Sequence, residues 1–239
     1  MVSFHLPSNK IFINEPKDRS KFCINSGILL LFLLLPLKAD ALIYTDIHGQ
    51  IGYGNLLEYG ETYNGSQKLD HQGWTLNLGI GSRVGLSFTL LTLGIVGDYS
   101  KVQWEGERED ANIQNGFDGD EDYDNVFERT LIGGFFKVDI PALPIYAIGE
   151  YYAKVKGQTT YAESVGENPF GQGDEFRGTG FGVGAGSTFS LINFTGVFRY
   201  FTYDKYILSG VEQIIPNNRF EKQNSWEINL QVGIAIDLL

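Results

Sequence analysis

The sequence predicts an all-β fold, an eight-stranded antiparallel up-and-down β-barrel that crosses a membrane. Three observations lead there: apolar and polar residues alternate strictly in eight segments after residue 41, short and long connections alternate, and aromatic residues gather at both ends of the apolar face. Composition sets the frame. The 239 residues carry 30 Gly, 13 Tyr, 17 Phe and 1 Cys, with a net charge of -11. That mixture favours strands and excludes a disulfide framework. A mean hydropathy of -0.11 excludes a bundle of membrane helices, each of which needs about 20 apolar residues. The acidic balance speaks against a nucleic-acid partner.

Residues 1–41 read as a secretory signal. Gly27 to Leu37 is an apolar run preceded by Lys17, Arg19 and Lys21, and Ala39-Asp40-Ala41 supplies the small residues that a signal peptidase reads, so cleavage is expected after Ala41. Met1 is the only methionine, which leaves a downstream non-ATG start open. Residues 42–239 then form the barrel domain, with 13 bases, 26 acids and a net charge of -13.

The first segment sets Ile43, Thr45, Ile47, Gly49, Ile51 and Tyr53 against Tyr44, Asp46, His48 and Gln50. The second opposes Trp74, Leu76, Leu78, Ile80 and Val84 to Thr75, Asn77, Gly79, Gly81 and Arg83; the third opposes Leu91, Leu93, Ile95 and Tyr99 to Thr92, Val96, Asp98 and Ser100. The fourth, 126–138, is the least regular, with Ile132, Phe136 and Val138 opposite Arg129, Leu131 and Lys137. In the fifth, Ile145, Ala147, Tyr151, Ala153 and Val155 oppose Tyr146, Glu150, Tyr152, Lys154 and Lys156. The sixth alternates Phe181, Val183 and Ala185 with Gly178, Gly180, Gly182, Gly184 and Gly186, and the seventh sets Phe194, Phe198 and Tyr200 against Asn193, Thr195 and Arg199. The eighth is the cleanest, with Trp226, Ile228, Leu230, Val232, Ile234, Ile236 and Leu238 on one face. Each has the period of two of a strand.

Short connections fall near 85–90, 139–144 and 188–192, and long polar ones run over 57–73, 103–125, 157–177 and 205–224. A transmembrane barrel has such an asymmetry, with short turns at one end and long loops at the other. Tyr53, Trp74, Tyr99, Tyr151, Tyr200 and Trp226 sit on the apolar face toward the long-loop end, and Phe136, Phe189 and Phe194 toward the short-turn end. Two interfacial aromatic girdles are the expected consequence.

On these residues the chain resembles the bacterial eight-stranded outer-membrane β-barrels, the OmpA transmembrane domain and the OmpX group. Gln231, Gly233, Ile236 and Leu238 are similar to the C-terminal assembly signal of such barrels, with aliphatic residues where an aromatic is usual and Leu239 as an extra residue. The resemblance implies an outer-membrane location, loops facing the exterior, both termini in the periplasm, and the BAM machinery as folding partner. Outer-membrane lipid or lipopolysaccharide and surface ligands of a host or the environment are its other expected partners.

Eight strands enclose an interior that side chains can fill. Asp46, Arg83, Asp98, Arg129, Glu150, Lys154, Arg199, Glu227 and Asp237 fall on the polar face and are expected to form a lumenal ionic network, with Asp46, Asp237 and Arg83 in one cluster near the short-turn end. The glycine run from Gly178 to Gly186 lacks phosphate-loop spacing and is expected to make room for a bulky group such as Tyr44 or Tyr146. His48 with Ser100 would be the only start of a catalytic triad, and a hydrogen-bonded lumenal histidine is the favoured reading.

Between Gln103 and Asp124 stand nine acids and one base. Asp118, Asp120, Asp122 and Asp124 alternate in a way that suits Ca²⁺ or Mg²⁺, although Tyr123 and Arg129 occupy positions where an EF-hand needs Gly and Glu; the other reading is a solvated acidic loop. Function is thus expected to be non-enzymatic: a barrel displaying four loops for membrane integrity or for surface interaction such as adhesion. The alternatives are a narrow channel for small or apolar solutes, as OmpW-like barrels suggest by resemblance, and a lipid-modifying enzyme.

Overall fold

The computed structural model describes residues 42–63, 67–110, 121–163, 171–208, 210–215 and 223–238, so the expected signal segment lies outside it. These residues form nine strands and no helix: β1 (Leu42–Tyr63), β2 (Gln67–Phe88), β3 (Leu91–Asp110), β4 (Glu121–Asp139), β5 (Ile145–Ala162), β6 (Glu175–Phe189), β7 (Ile192–Leu208), β8 (Val211–Ile214) and β9 (Asn224–Leu238). Each barrel strand pairs antiparallel with its neighbour, and β9 pairs with both β7 and β1, from Ile43↔Leu238 to Asn55↔Trp226. Eight strands therefore close, and no wall strand keeps an unpaired edge. The ninth, β8, lies outside the wall as a short hairpin on the end of β7.

Closure follows from the period-two pattern, because a wall with one apolar and one polar face can satisfy its backbone only by pairing with itself. The apolar set points outward: Ile47, Ile80, Ile95, Leu230 and Ile234 are among the exposed residues of a belt around the wall. An exposed apolar surface of this extent has no stable place in water and fits a hydrocarbon layer. Tyr53 stacks on Trp74 at 5.3 Å and Trp74 meets Trp226 edge-on at 6.4 Å in the girdle toward the long loops, while Phe189 and Phe194 pair at 6.3 Å near the opposite end.

Three short turns join β2–β3, β4–β5 and β6–β7, and each holds one non-glycine residue in the left-handed region: Thr89, Ala142 and Ser190. At the other end the strands run further than the sequence suggests. β1 and β2 stay paired to Tyr63↔Gln67, and β3 and β4 to Arg108↔Glu121, so much of the expected long loops is extended ribbon.

A second correction concerns β5. The register slips between Ile132 and Gly133 on its β4 side and between Tyr152 and Val155 on its β6 side. This bulge places an extra residue in the strand, so the faces exchange beyond it. Lys154, expected in the lumen, is exposed on the outer wall, and Val155, expected outside, is fully buried.

The interior has two layers. Around the lower bore the inward residues are polar and charged; toward the long loops they become aromatic, with Trp104, Phe127, Phe176, Phe201, Tyr203 and Tyr206 buried together. The outer face changes in the opposite sense. On β3 the exposed residues pass from Ile95 and Tyr99 to Lys101, Gln103 and Glu105, as the buried ones pass from Asp98 and Ser100 to Val102 and Trp104. The upper barrel is thus built like one standing in water, apolar inside and polar outside.

Candidate functional site

The lower bore is crossed by a network that begins with Glu150 on β5. Its Oε1 accepts from Arg83 Nε at 2.9 Å and Nη2 at 2.6 Å, and its Oε2 accepts from Arg199 Nε at 3.3 Å and from the Tyr152 hydroxyl. Arg83 reaches further, to Asp46 at 3.4 Å and to the Gln231 carbonyl oxygen at 2.6 Å. Arg199 donates to Asp98 Oδ2 at 2.8 Å and Gln50 Oε1 at 2.9 Å, and its Nη1 lies 3.7 Å from Glu227. Glu227 accepts from Arg129 at 2.5 Å and from Asn77 and Asn229 at 3.2 and 2.7 Å. The three guanidinium groups and four carboxylates are all almost completely removed from solvent. Their strands span most of the circumference, so the pairs tie opposite walls together.

His48 enters between two of the acids. Its Nδ1 lies 3.0 Å from Asp46 and its Nε2 3.0 Å from Asp98. Ionised carboxylates only accept, so an imidazole donating from both nitrogens satisfies both partners and balances four negative charges against three guanidinium groups. In that arrangement His48 has no free lone pair with which to activate Ser100, and the Ser100 hydroxyl is buried without a hydrogen-bond partner among the described residues.

Below the network, Lys137 extends over the rings of Tyr44 and Tyr146, at 5.1 and 4.8 Å, and pairs with Asp139 at 2.7 Å. A Cβ at Gly186 would run into the Tyr146 ring, so the glycine run does make room for that tyrosine. Above the network, Arg129 lies over Phe201 at 4.7 Å, and the Tyr206 hydroxyl donates to Asp174 at 2.7 Å at the long-loop end of the aromatic layer.

Of the residues expected in the lumen, the structure brings together Asp46, Arg83, Asp98, Arg129, Glu150, Arg199 and Glu227. Lys154 is outside, and the side chains of Asp237 and Leu238 lie outside the described residues. Asp118 and Asp120 also lie outside them, as does the side chain of Asp122; Asp124 is exposed, and no group of metal-binding residues occurs among those described. Of the expected assembly signal, Gln231 joins the network, Ile236 faces outward, and Gly233 sits where a Cβ would press on the Ile47 carbonyl of the closing strand. Sequence reasoning missed Tyr152, Gln50, Asn77 and Asn229 as network members. Their inward parity was the available signal, but uncharged residues did not stand out.

No protein-family model matches the chain, and no curated protein matches it in sequence. Among solved structures it is similar to the outer membrane protein OprG from Pseudomonas aeruginosa, at 10% identity and a TM-score of 0.53, covering 81% of this chain and 95% of that one. Neisserial surface protein A is 11% identical with a TM-score of 0.42, covering 82% and 97%. The attachment invasion locus protein Ail of Yersinia pestis is 12% identical with a TM-score of 0.33, covering 79% and 98%. The chain has the fold of an eight-stranded outer-membrane β-barrel.

Proposed function

We propose that the protein is a sealed, non-enzymatic barrel of the outer membrane that raises a rigid platform for surface interaction and contributes to envelope integrity. The observation that carries this reading is the bore itself. Arg83, Arg129 and Arg199, each 2% exposed or less, cross it in one layer, and Trp104, Phe201 and Tyr206, each at 0%, fill it in the next. Side chains buried and paired in this way hold the barrel shut, because opening it would strand a charge in a low-dielectric space. Beyond the belt the strands continue as a water-type barrel, which holds the loops away from the membrane on a stiff support, where binding functions concentrate. The outer-membrane location rests on the outward belt, the girdles and the fold shared with OprG.

The barrel folded into planar bilayers is expected to give no steady conductance, and deletion of the ribbon tips should abolish binding to matrix or cell-surface components without altering heat-dependent gel mobility. Steady conductance of the unaltered protein, or binding that survives the deletion, overturns the reading.

A channel for small solutes is the second reading. Glu150 is shared by Arg83 and Arg199, and Gln50 Nε2 and Arg129 Nε are buried with no hydrogen-bond partner among the described residues, which gives the layer spare donors for re-pairing. Conductance that appears in Glu150→Gln and not in the unaltered protein would locate the barrier in this layer.

A further inference from the structure

The strand registers, followed around the wall, lead from Gln50 to Tyr206 of β7 by way of β2–β6, and to Thr195 of the same strand by way of β9. A stagger of that size in eight strands tilts them by roughly 40° from the barrel axis. A step of one strand across, in the order β1 to β9, and two residues up then runs nearly parallel to the axis and covers about 8 Å.

Lines of outward residues built from such steps differ in apolar length around the wall. One rises from Phe189 on β6 through Phe194, Leu230 and Tyr53 to Trp74 on β2, and all five side chains are exposed and apolar. Another rises from Leu91 on β3 through Phe136 to Tyr151 on β5, and its next member is the exposed Thr179. Four steps make the first apolar face about 32 Å tall, and two make the second about 16 Å. The lines beside the short one end as low, at Lys154 and at Thr130, the lysine being turned outward at the β5 bulge. Both Phe189 and Leu91 stand beside a short turn, so the difference falls at the long-loop end.

The apolar band of an outer-membrane barrel is about 25 Å tall, so the first line fills it and the second falls short. Tilting the barrel cannot level the two, because a tilt shifts both ends of a line together and leaves its length unchanged. A bilayer of full thickness on the short side would sink Thr179 and Lys154 into hydrocarbon, whereas local thinning is a modest cost per Å of mismatch. We infer that the barrel holds the membrane thinned along its Tyr151 side and at full thickness along its Trp74 side, so that the short face is fitted by lipid chains drawn down from the long-loop leaflet. The inference rests on the outer-membrane reading above.

The test uses the full chain, with Cys23, its one cysteine, replaced by serine, folded into dioleoylphosphatidylcholine vesicles. Thr179 stands three steps above Leu91, and Leu76 stands three steps above Ile192 by way of Val232 and Ile51, so the two are level. Nitroxide labels on single cysteines at Thr179, at Leu76 and at the turn residues Leu90 and Leu191 are read for depth by collision with oxygen and with a water-soluble nickel chelate. T179C should report water and L76C hydrocarbon, a difference of roughly 5–10 Å in depth, while L90C and L191C should read alike. K154L combined with T130L lengthens the short face and should draw the label at Thr179 into hydrocarbon. Equal depths at Thr179 and Leu76, or an offset of the same size between Leu90 and Leu191, as a tilted barrel would give, overturns the thinning while leaving the barrel standing. A chain that never acquires heat-dependent gel mobility in these vesicles overturns the membrane reading, and the thinning with it.

Discussion

Arg199 shows how much one side chain can hold in this molecule. It is fully buried and touches Asp98, Glu150, Gln50 and Glu227, which come from four different strands. Arg199→Met would leave those carboxylates without their shared cation, and losing one partner of a buried ion pair costs about 3–5 kcal/mol. Urea unfolding of the variant in lipid vesicles should show a loss of that order. Gly186 tests the same interior from the other side. An alanine there meets the Tyr146 ring and the Phe194 carbonyl, so Gly186→Ala should lower stability by about 1–3 kcal/mol, the usual cost of overpacking.

Among the elements, β5 and the β6–β7–β8 sheet behave most distinctively. Removing Ala153 would erase the bulge and leave Lys154 facing out between the inward Tyr152 and Val155, so regular alternation returns with no charge moved into the lumen. The deletion should therefore fold in vesicles and keep the heat shift of the unaltered chain on gels; loss of that shift would mean that the bulge itself is needed for closure. Beyond the belt, Glu175 binds Lys156 and Arg177 at 2.8 and 2.5 Å, and Glu212 binds Lys205 at 2.7 Å. Partial burial acts to raise the Glu175 carboxyl, but its hydrogen bonds from Lys156 and Arg177 outweigh that and hold it below the usual glutamate range; the Lys205 hydrogen bond does the same for Glu212. A carboxyl lowered on folding contributes stability above its unfolded value, and the contribution is lost as pH falls through the folded one. The protection of the upper β7 and β8 amides, measured against intrinsic exchange at each pH, should therefore be unchanged between pH 7 and 5 and fall below pH 4, while that of the lower β7 amides stays high.

For the whole molecule, the division of the wall into two zones makes a positional prediction. Ile80 lies near the middle of the belt and Gln103 beyond its upper edge. A lysine at Ile80 should cost about 2–4 kcal/mol in bilayer unfolding measurements, and one at Gln103 about 0–1 kcal/mol. Equal costs would mean that the belt does not contact hydrocarbon. The same zoning gives the barrel its division of labour, with a closed ionic layer inside the belt and an aromatic layer inside the part that stands clear of it.

The eight segments, their outward faces, the girdles and seven of the nine lumenal charges were legible in the sequence, because strand parity and the cost of burying charge are local rules. Trp104, Phe176 and Tyr206 were not. They lie where the outer face has turned polar and the inner face apolar, so alternation continues with its phase reversed, and a search for one continuous apolar face reads the stretch as loop. Lys154 escaped for a related reason: one extra residue in β5 reverses parity, and nothing in Tyr152-Ala153-Lys154 marks it. Sequence alone determined that an apolar face and a charged face must alternate eight times and close. Only the tertiary structure decided which carboxylate each arginine shares and which lysine faces out, because pairing across the bore and register at a bulge depend on strands far apart in the chain.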